Sequence, residues 1–256
     1  MKKTNPKNVL ITGGARRIGE SIAKALAEDG WNIAIHCRHS KEEAEKLASE
    51  LCKLNIQSIV IGADLNSDSD LAGLLPAAAA TLGPITCLIN NASLFELDTV
   101  ESATYDSWDK HMKVNTRAPF FLSQALMAGL GEDQTGNIVN IIDQRVWNPT
   151  PWFISYAASK SVLWSLTQSL ALAMAPRVRV NAIGPGPTLP SPRQSQEDFL
   201  KQEAGTPLKR GAPPSEIAEA IRFILSATSM TGQMIALDGG QHLGWEYPED
   251  PKCPVE

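Results

Sequence analysis

The sequence predicts an α/β chain built as a doubly wound parallel sheet of about seven strands in a single domain. Short apolar runs alternate with helical stretches along most of its 256 residues, the pattern of βα units rather than of hairpins. The first apolar run enters a glycine-rich turn, Thr12-Gly13-Gly14-Ala15-Arg16-Arg17-Ile18-Gly19, and a helical pattern follows at once. No Pro/Gly-rich linker or repeat divides the chain. Residues 1–245 therefore read as one domain, and 246–256, with Pro248, Pro251 and Pro254, as an irregular tail.

Taken in order, residues 9–11 form a strand, and Ile18, Ile22, Ala25 and Leu26 share one face of the next helix, which stops at Asp29-Gly30. Residues 31–35 form the second strand and close a right-handed βαβ unit. Further strands are expected at 58–61, 87–89, 138–142, 177–182 and 234–237. Helices are expected at 41–54, 68–82, 105–130, 155–174 and 214–227, by periodicity and by the breakers between them. The segment 189–205 is polar and reads as an irregular loop placed to cover a substrate.

Glycines in the first turn let backbone N–H groups approach a pyrophosphate at a helix N-terminus, where the partial positive charge favours an anion. The end of the second strand then selects the dinucleotide. An NAD site places a carboxylate there for the ribose 2′-hydroxyl. This chain has His36-Cys37-Arg38-His39-Ser40 and no acid before Glu42. With Arg16 and Arg17 nearby, these residues point to NADP(H), since a guanidinium holds a phosphate through two parallel hydrogen bonds.

Tyr156 and Lys160 lie four apart on one helix face. A cation beside a phenol favours the phenolate and lowers its pKa towards working pH, so the pair suits acid–base catalysis. Asp143 stands thirteen residues before the tyrosine.

Composition excludes several classes. A net charge of −5 without a basic block argues against nucleic acid. No apolar run approaches the ~18 residues that a membrane span needs. The start, Met1-Lys2-Lys3-Thr4-Asn5-Pro6-Lys7, has no cleavable apolar region. Cys37, Cys52, Cys87 and Cys253 lack metal-type spacing, so no metal site is expected and the thiols fit a reducing cytoplasm.

These features together resemble the short-chain dehydrogenase/reductase family, whose Rossmann-type fold the resemblance implies. Further motifs fall in order. Asp64-Leu65 resembles the adenine contact, and Asn90-Asn91-Ala92 the segment after the fourth strand. Asn115 resembles the asparagine that supports a water link to the lysine. Pro185-Gly186 with Thr188 resembles the loop at the nicotinamide carboxamide, and Leu237-Asp238-Gly239-Gly240 the last strand. Two departures stand out: Arg17 occupies the middle glycine of the family turn, and Asp143 the position of the family's catalytic serine.

Both departures resemble the pteridine reductase branch, as does Asn91-Ala92-Ser93-Leu94-Phe95. That resemblance implies reduction of a C=N bond of a pterin or folate-like small molecule by NADPH. Tyr156, Lys160, Asn115 and Asp143 would form the proton path, with Phe95 stacked on the substrate and Ser93 on its aminopyrimidine edge. Arg17 would meet a ligand oxygen or a cofactor phosphate. A carbonyl reductase with an unusual aspartate, and a non-catalytic NADP(H)-binding protein, stay open as alternatives. The family also implies a homotetramer, and Val162, Leu163, Trp164, Leu166, Leu170 and Leu172 give helix 155–174 a wider apolar face than its own sheet requires.

Overall fold

The computed structural model describes residues 5–244; the expected irregular tail, 246–256, lies outside the described residues. The strand β1 (Asn8–Ile11) leads into α1 (Arg17–Glu28), β2 (Asn32–Cys37) into α2 (Lys41–Cys52), β3 (Ser58–Gly62) into α3 (Asp68–Leu82) and β4 (Cys87–Asn90) into α4 (Tyr105–Met112). A π turn at Lys113–Arg117 joins α4 to α5 (Ala118–Gly129). Then come β5 (Gly136–Ile141), α6 (Ile154–Met174), β6 (Val178–Pro185), α7 (Gln196–Gly205), α8 (Pro214–Ser226) and β7 (Met234–Leu237). All seven strands are parallel, in the order β3-β2-β1-β4-β5-β6-β7. The order reverses between β1 and β4, which opens a crevice at their carboxyl ends where sheets of this kind take ligands.

The core explains the continuous apolar runs. Val9 and Ile11 of β1 face α1, α2 and α8, with Ile33, Ile35, Ile22, Ile217 and Ile221 in one buried cluster. Leu10 faces the other way, against Leu88, Ile138, Val180, Leu74 and Leu122. A strand buried on both faces has no polar alternation to show. Outside this core, Arg222 ties α8 to the end of α1 through Asp29, Glu28 and the carbonyl of Ala25.

Two expectations need correction. The helix expected over 105–130 is broken by the π turn, which accommodates the fully buried Asn115. A one-residue register change leaves almost no trace in apolar periodicity. The segment 189–205 is not irregular throughout, because its second half is α7. Phe199 is the buried residue of α7, so no apolar stripe marked it. Its start was nevertheless written in the sequence: Ser195 caps the helix by accepting from the Asp198 N–H at 3.1 Å, with Glu197 and Asp198 in the first turn.

On α6, Leu163, Thr167, Ala171 and Met174 face inward, while Val162 and Leu172 stay exposed, Leu172 by 84%. Among the described residues no helix is long and apolar enough to cross a membrane.

Candidate active site

Two clefts share Arg17, Ile18, Asn91 and Ser93 in their walls. The larger, about 540 Å³, lies at the ends of β1 to β4 and includes the glycine-rich turn. Gly13 has φ 60°, and a Cβ there would lie 3.1 Å from Cα of Ala92. At Gly19 a Cβ would come within 2.3 Å of the Gly13 carbonyl oxygen. Only glycine lets α1 pack this close to the turn. The Thr12 hydroxyl accepts from the N–H groups of Asn91 and Ala92, and Asn91 Nδ2 donates to the carbonyls of Thr12 and Gly13, which fastens β4 to β1. No side chain caps α1, so its first N–H groups are left for a ligand anion, flanked by Arg16, Arg17 and Ile18.

The rim of this cleft collects Arg38, His39 and Ser40 from the end of β2, and Asp64 and Leu65 from the end of β3. Arg38 is half exposed and pairs with Asp64 at 3.1 Å, while Arg16 reaches Glu43 at 3.6 Å. Lys110 and Val114 complete the far wall, and sequence reasoning missed both. His36 was expected to contact the cofactor, and it does line the cleft. Its ring, however, works inside the protein: Nδ1 accepts from the Gly13 N–H at 3.1 Å and Nε2 donates to the Ala63 carbonyl at 3.0 Å. Both nitrogens are committed, and burial lowers its pKa, so His36 holds the turn as a neutral imidazole.

The smaller cleft, about 250 Å³, brings together Asp143, Tyr156, Lys160, Phe95, Ser93, Pro185, Gly186 and Thr188. Tyr156 Oη donates to Asp143 Oδ2 at 2.8 Å. Lys160, almost fully buried, donates from Nζ to the Ile141 carbonyl at 2.8 Å and lies 5.7 Å from the Tyr156 ring centroid. The expected lowering of the phenol's pKa is reversed. Burial raises it well above the usual range, and the adjacent Asp143 carboxylate raises it further. Burial also pushes Lys160 down to about 8.

The side chain of Asn115 is fully bonded within the protein. Its amide accepts from the Leu94 N–H and the Ser93 hydroxyl and donates to the Leu94 carbonyl and Ser159 Oγ. Four bonds use the whole capacity of a side-chain amide, so a water link to Lys160 falls to the main chain of Asn115. These bonds fix the segment that carries Ser93 and Phe95.

Phe95 lies edge-on to Tyr156, with centroids 4.6 Å apart, and stacks on Phe153 at 4.5 Å and 14°. Phe153 is buried and holds φ 58°, unusual for a bulky side chain. Asp98 secures that bend, its carbonyl accepting from the Phe153 N–H and its carboxylate from the Ser155 N–H, at the start of the helix that carries Tyr156. The guanidinium groups of Arg145 and Arg193 lie 5.0–5.6 Å from the two phenylalanine centroids. Phe153, Arg145 and Arg193 were not found from sequence; only the closeness of Arg145 to Asp143 offered a signal. Arg17, at φ 57°, donates to the carbonyls of Pro190 at 2.9 Å and Leu189 at 3.3 Å, so it joins the glycine-rich turn to the segment over the smaller cleft.

The family model described as short chain dehydrogenase matches residues 7–200. This chain is a short-chain dehydrogenase/reductase. Among solved structures of the family, it is similar to the FolM alternative dihydrofolate reductase 1 of Brucella suis in complex with NADP, at 48% identity and TM-score 0.92, over 97% of this chain and 99% of that one. The Brucella canis FolM, also complexed with NADP, is 47% identical with TM-score 0.89, over 95% and 97% of the two chains. A 3-oxoacyl-(acyl-carrier-protein) reductase, FabG of Staphylococcus aureus, is 30% identical over 95% of this chain and its own full length. Departures from the usual short-chain reductase pattern thus sit on a chain whose structural relatives include alternative dihydrofolate reductases.

Proposed function

We propose that this protein is an NADPH-dependent reductase that converts a dihydropterin, or a folate-like relative, to the tetrahydro form by reducing a C=N bond. The observation that carries this reading is the 2.8 Å bond from Tyr156 to Asp143 beside Phe95, where an ordinary member would present a serine hydroxyl. A carboxylate accepts hydrogen bonds but cannot donate one to a carbonyl oxygen. Placed against the phenol, it suits delivery of a proton to a ring nitrogen instead.

The larger cleft fits the dinucleotide by its own construction: Gly19 without room for a Cβ, Gly13 at positive φ, an uncapped helix N-terminus and a basic rim. Gly13, Arg16, Ile18 and Gly19 would hold the pyrophosphate, Arg38, His39 and Ser40 the 2′-phosphate, and Asp64 and Leu65 the adenine. Asn91, Ala92, Pro185, Gly186 and Thr188 would hold the nicotinamide half, with Tyr156 and Lys160 at its ribose. Reduced nicotinamide supplies the hydride. Tyr156 supplies the proton from Oη, while Phe95, Ser93 and Arg17 orient a flat substrate beside it.

Turnover of dihydrobiopterin, dihydromonapterin, dihydrofolate and simple ketones with NADPH tests the reading, and at least one dihydropterin should be the best substrate. The relationship to FabG favours a second reading, a ketone reductase, and turnover of ketones alone would establish it. Tight NADPH binding without any turnover would leave a non-catalytic binding protein.

We also infer a homotetramer, in which the exposed apolar residues of α4 to α6, Trp108, Phe121, Val162 and Leu172, meet other copies. Sedimentation at micromolar concentration should show a species well above the 27.6 kDa chain; a clean monomer excludes it.

A further inference from the structure

Arg145 is a cation set inside the wall of the smaller cleft, only 8% exposed. Its main-chain N–H donates to Asp143 Oδ1 at 2.8 Å. Its Nη1 reaches Oδ2, the oxygen that also accepts the Tyr156 proton, at 3.4 Å. The same guanidinium packs against Phe95 and Phe153 at 5.6 and 5.4 Å from their centroids. One buried side chain therefore touches the carboxylate, the aromatic wall and, through both, the reactive phenol. Its Nε is buried without a hydrogen-bond partner, a desolvation cost that surface placement would have avoided.

That cost has a use if the phenol gives up its proton. The Tyr156 O–H bond breaks as an N–H bond forms on the substrate and a hydride reaches the neighbouring carbon; solvent later returns the proton to the phenolate. A phenolate 2.8 Å from a carboxylate, in a buried site, is opposed by charge repulsion and desolvation together. Lys160 is engaged by the Ile141 carbonyl. Arg145 is the cation fixed on the carboxylate itself, and its charge draws the phenol's pKa downward against Asp143.

We propose that Arg145 is a positioning residue for proton delivery: it locks Asp143 in the orientation that receives Tyr156 and offsets the carboxylate's charge when the phenolate forms. This assignment rests on the reading of Asp143 and Tyr156 given under the proposed function. If it is right, Arg145 acts through Asp143, and removing either should make removing the other nearly harmless.

The experiment is a double-mutant cycle of Arg145→Met with Asp143→Asn, alongside Arg145→Lys. Kcat and KM are measured with saturating NADPH and the best dihydropterin, and NADPH affinity is measured in every variant. Arg145→Met should lower kcat roughly tenfold or more, with a smaller change in KM, because stabilisation is lost in the transition state. Arg145→Lys should recover part of the loss, and NADPH affinity should hold. On the Asp143→Asn background, the further loss from Arg145→Met should fall below about twofold. Multiplying losses, or an unchanged kcat in Arg145→Met, overturns the proposal. If Arg145→Met does not fold by circular dichroism, the cycle is run with Arg145→Lys, where a kcat equal to the parent's, or losses that multiply, overturns it. The parent enzyme reports separately on the proposed function. Turnover of ketones alone sinks the pterin reading and leaves the cycle to be read on that ketone, whereas no turnover at all sinks both.

Discussion

The two clefts meet at Arg17 and Asn91, yet they are made of different material. The larger has a main-chain floor at the glycine-rich turn, with close-packed glycines, an uncapped helix end and carbonyls fastened by Asn91, under a rim of charged side chains. The smaller takes its shape from side chains gathered from β5, the segment after β4, the start of α6 and the segment before α7. Backbone recognises what every dinucleotide has in common. Under the proposed function, side chains with perturbed ionisation would distinguish one reducible bond from another. Changes in the smaller cleft should therefore alter chemistry and leave cofactor binding alone, and changes on the rim of the larger should do the reverse.

The largest effect expected is on turnover in Tyr156→Phe. Loss of a positioned proton donor should lower kcat by on the order of 10²–10⁴, with the NADPH dissociation constant nearly unchanged in a fluorescence titration. A matching loss of NADPH affinity would erase the distinction between the clefts.

Next comes Lys160, whose folded pKa of about 8 lies below its usual 10.5. A depressed lysine pKa means that the unfolded chain binds the proton more tightly, so the charged lysine opposes folding below pH 8. The opposition fades as pH rises from about 8 to 10.5. It amounts to roughly 3 kcal/mol for a fully buried group. Without cofactor, Lys160→Met should be more stable than the parent in urea at pH 7, and the gap should narrow by pH 10. A constant gap would show that lysine charge is not its source.

Asp143→Ser should follow, with a loss of about tenfold to a hundredfold in dihydropterin turnover, the scale of one charge-assisted bond. It should also permit weak ketone reduction, because a hydroxyl donor returns. If this variant reduces pterins as fast as the parent, Asp143 has no part in the proton path. The smallest effect is on the rim. Arg38 is half exposed and paired with Asp64, a partner it would exchange for a 2′-phosphate. Arg38→Glu should weaken NADPH about tenfold and NADH much less. Equal losses for both would remove Arg38 from the 2′-phosphate.

The same contrast governs what could be read from the sequence. The larger cleft was legible because the requirements of its glycine-rich turn are local: a strand, glycines at fixed offsets and a helix start. Tyr156, Lys160 and Asp143 were legible as spacings. Phe153 and Arg193 were not, since both reach Phe95 only across long loops, and nothing around Trp152-Phe153-Ile154 marks a left-handed turn. His36 was legible by its position at the end of β2, but the direction of its ring was not, because it depends on the Ala63 carbonyl just after β3. The pKa of Tyr156 escaped because burial outweighs any effect of its neighbouring lysine.

The π turn at Lys113–Arg117 also fixes a length. Such a turn holds one residue more than an α-helix spanning the same rise, and each helical residue rotates the chain by about 100°. Deleting one residue there would leave a continuous helix with α4 rolled by that angle relative to α5. His111, fully buried and bonded to the main chain of Ser107 and Glu96, would swing away from the segment behind Phe95. A change in residue count within this turn should therefore disturb the wall at Phe95 more than a substitution there, because the wall is indexed to the number of residues that precede Asn115.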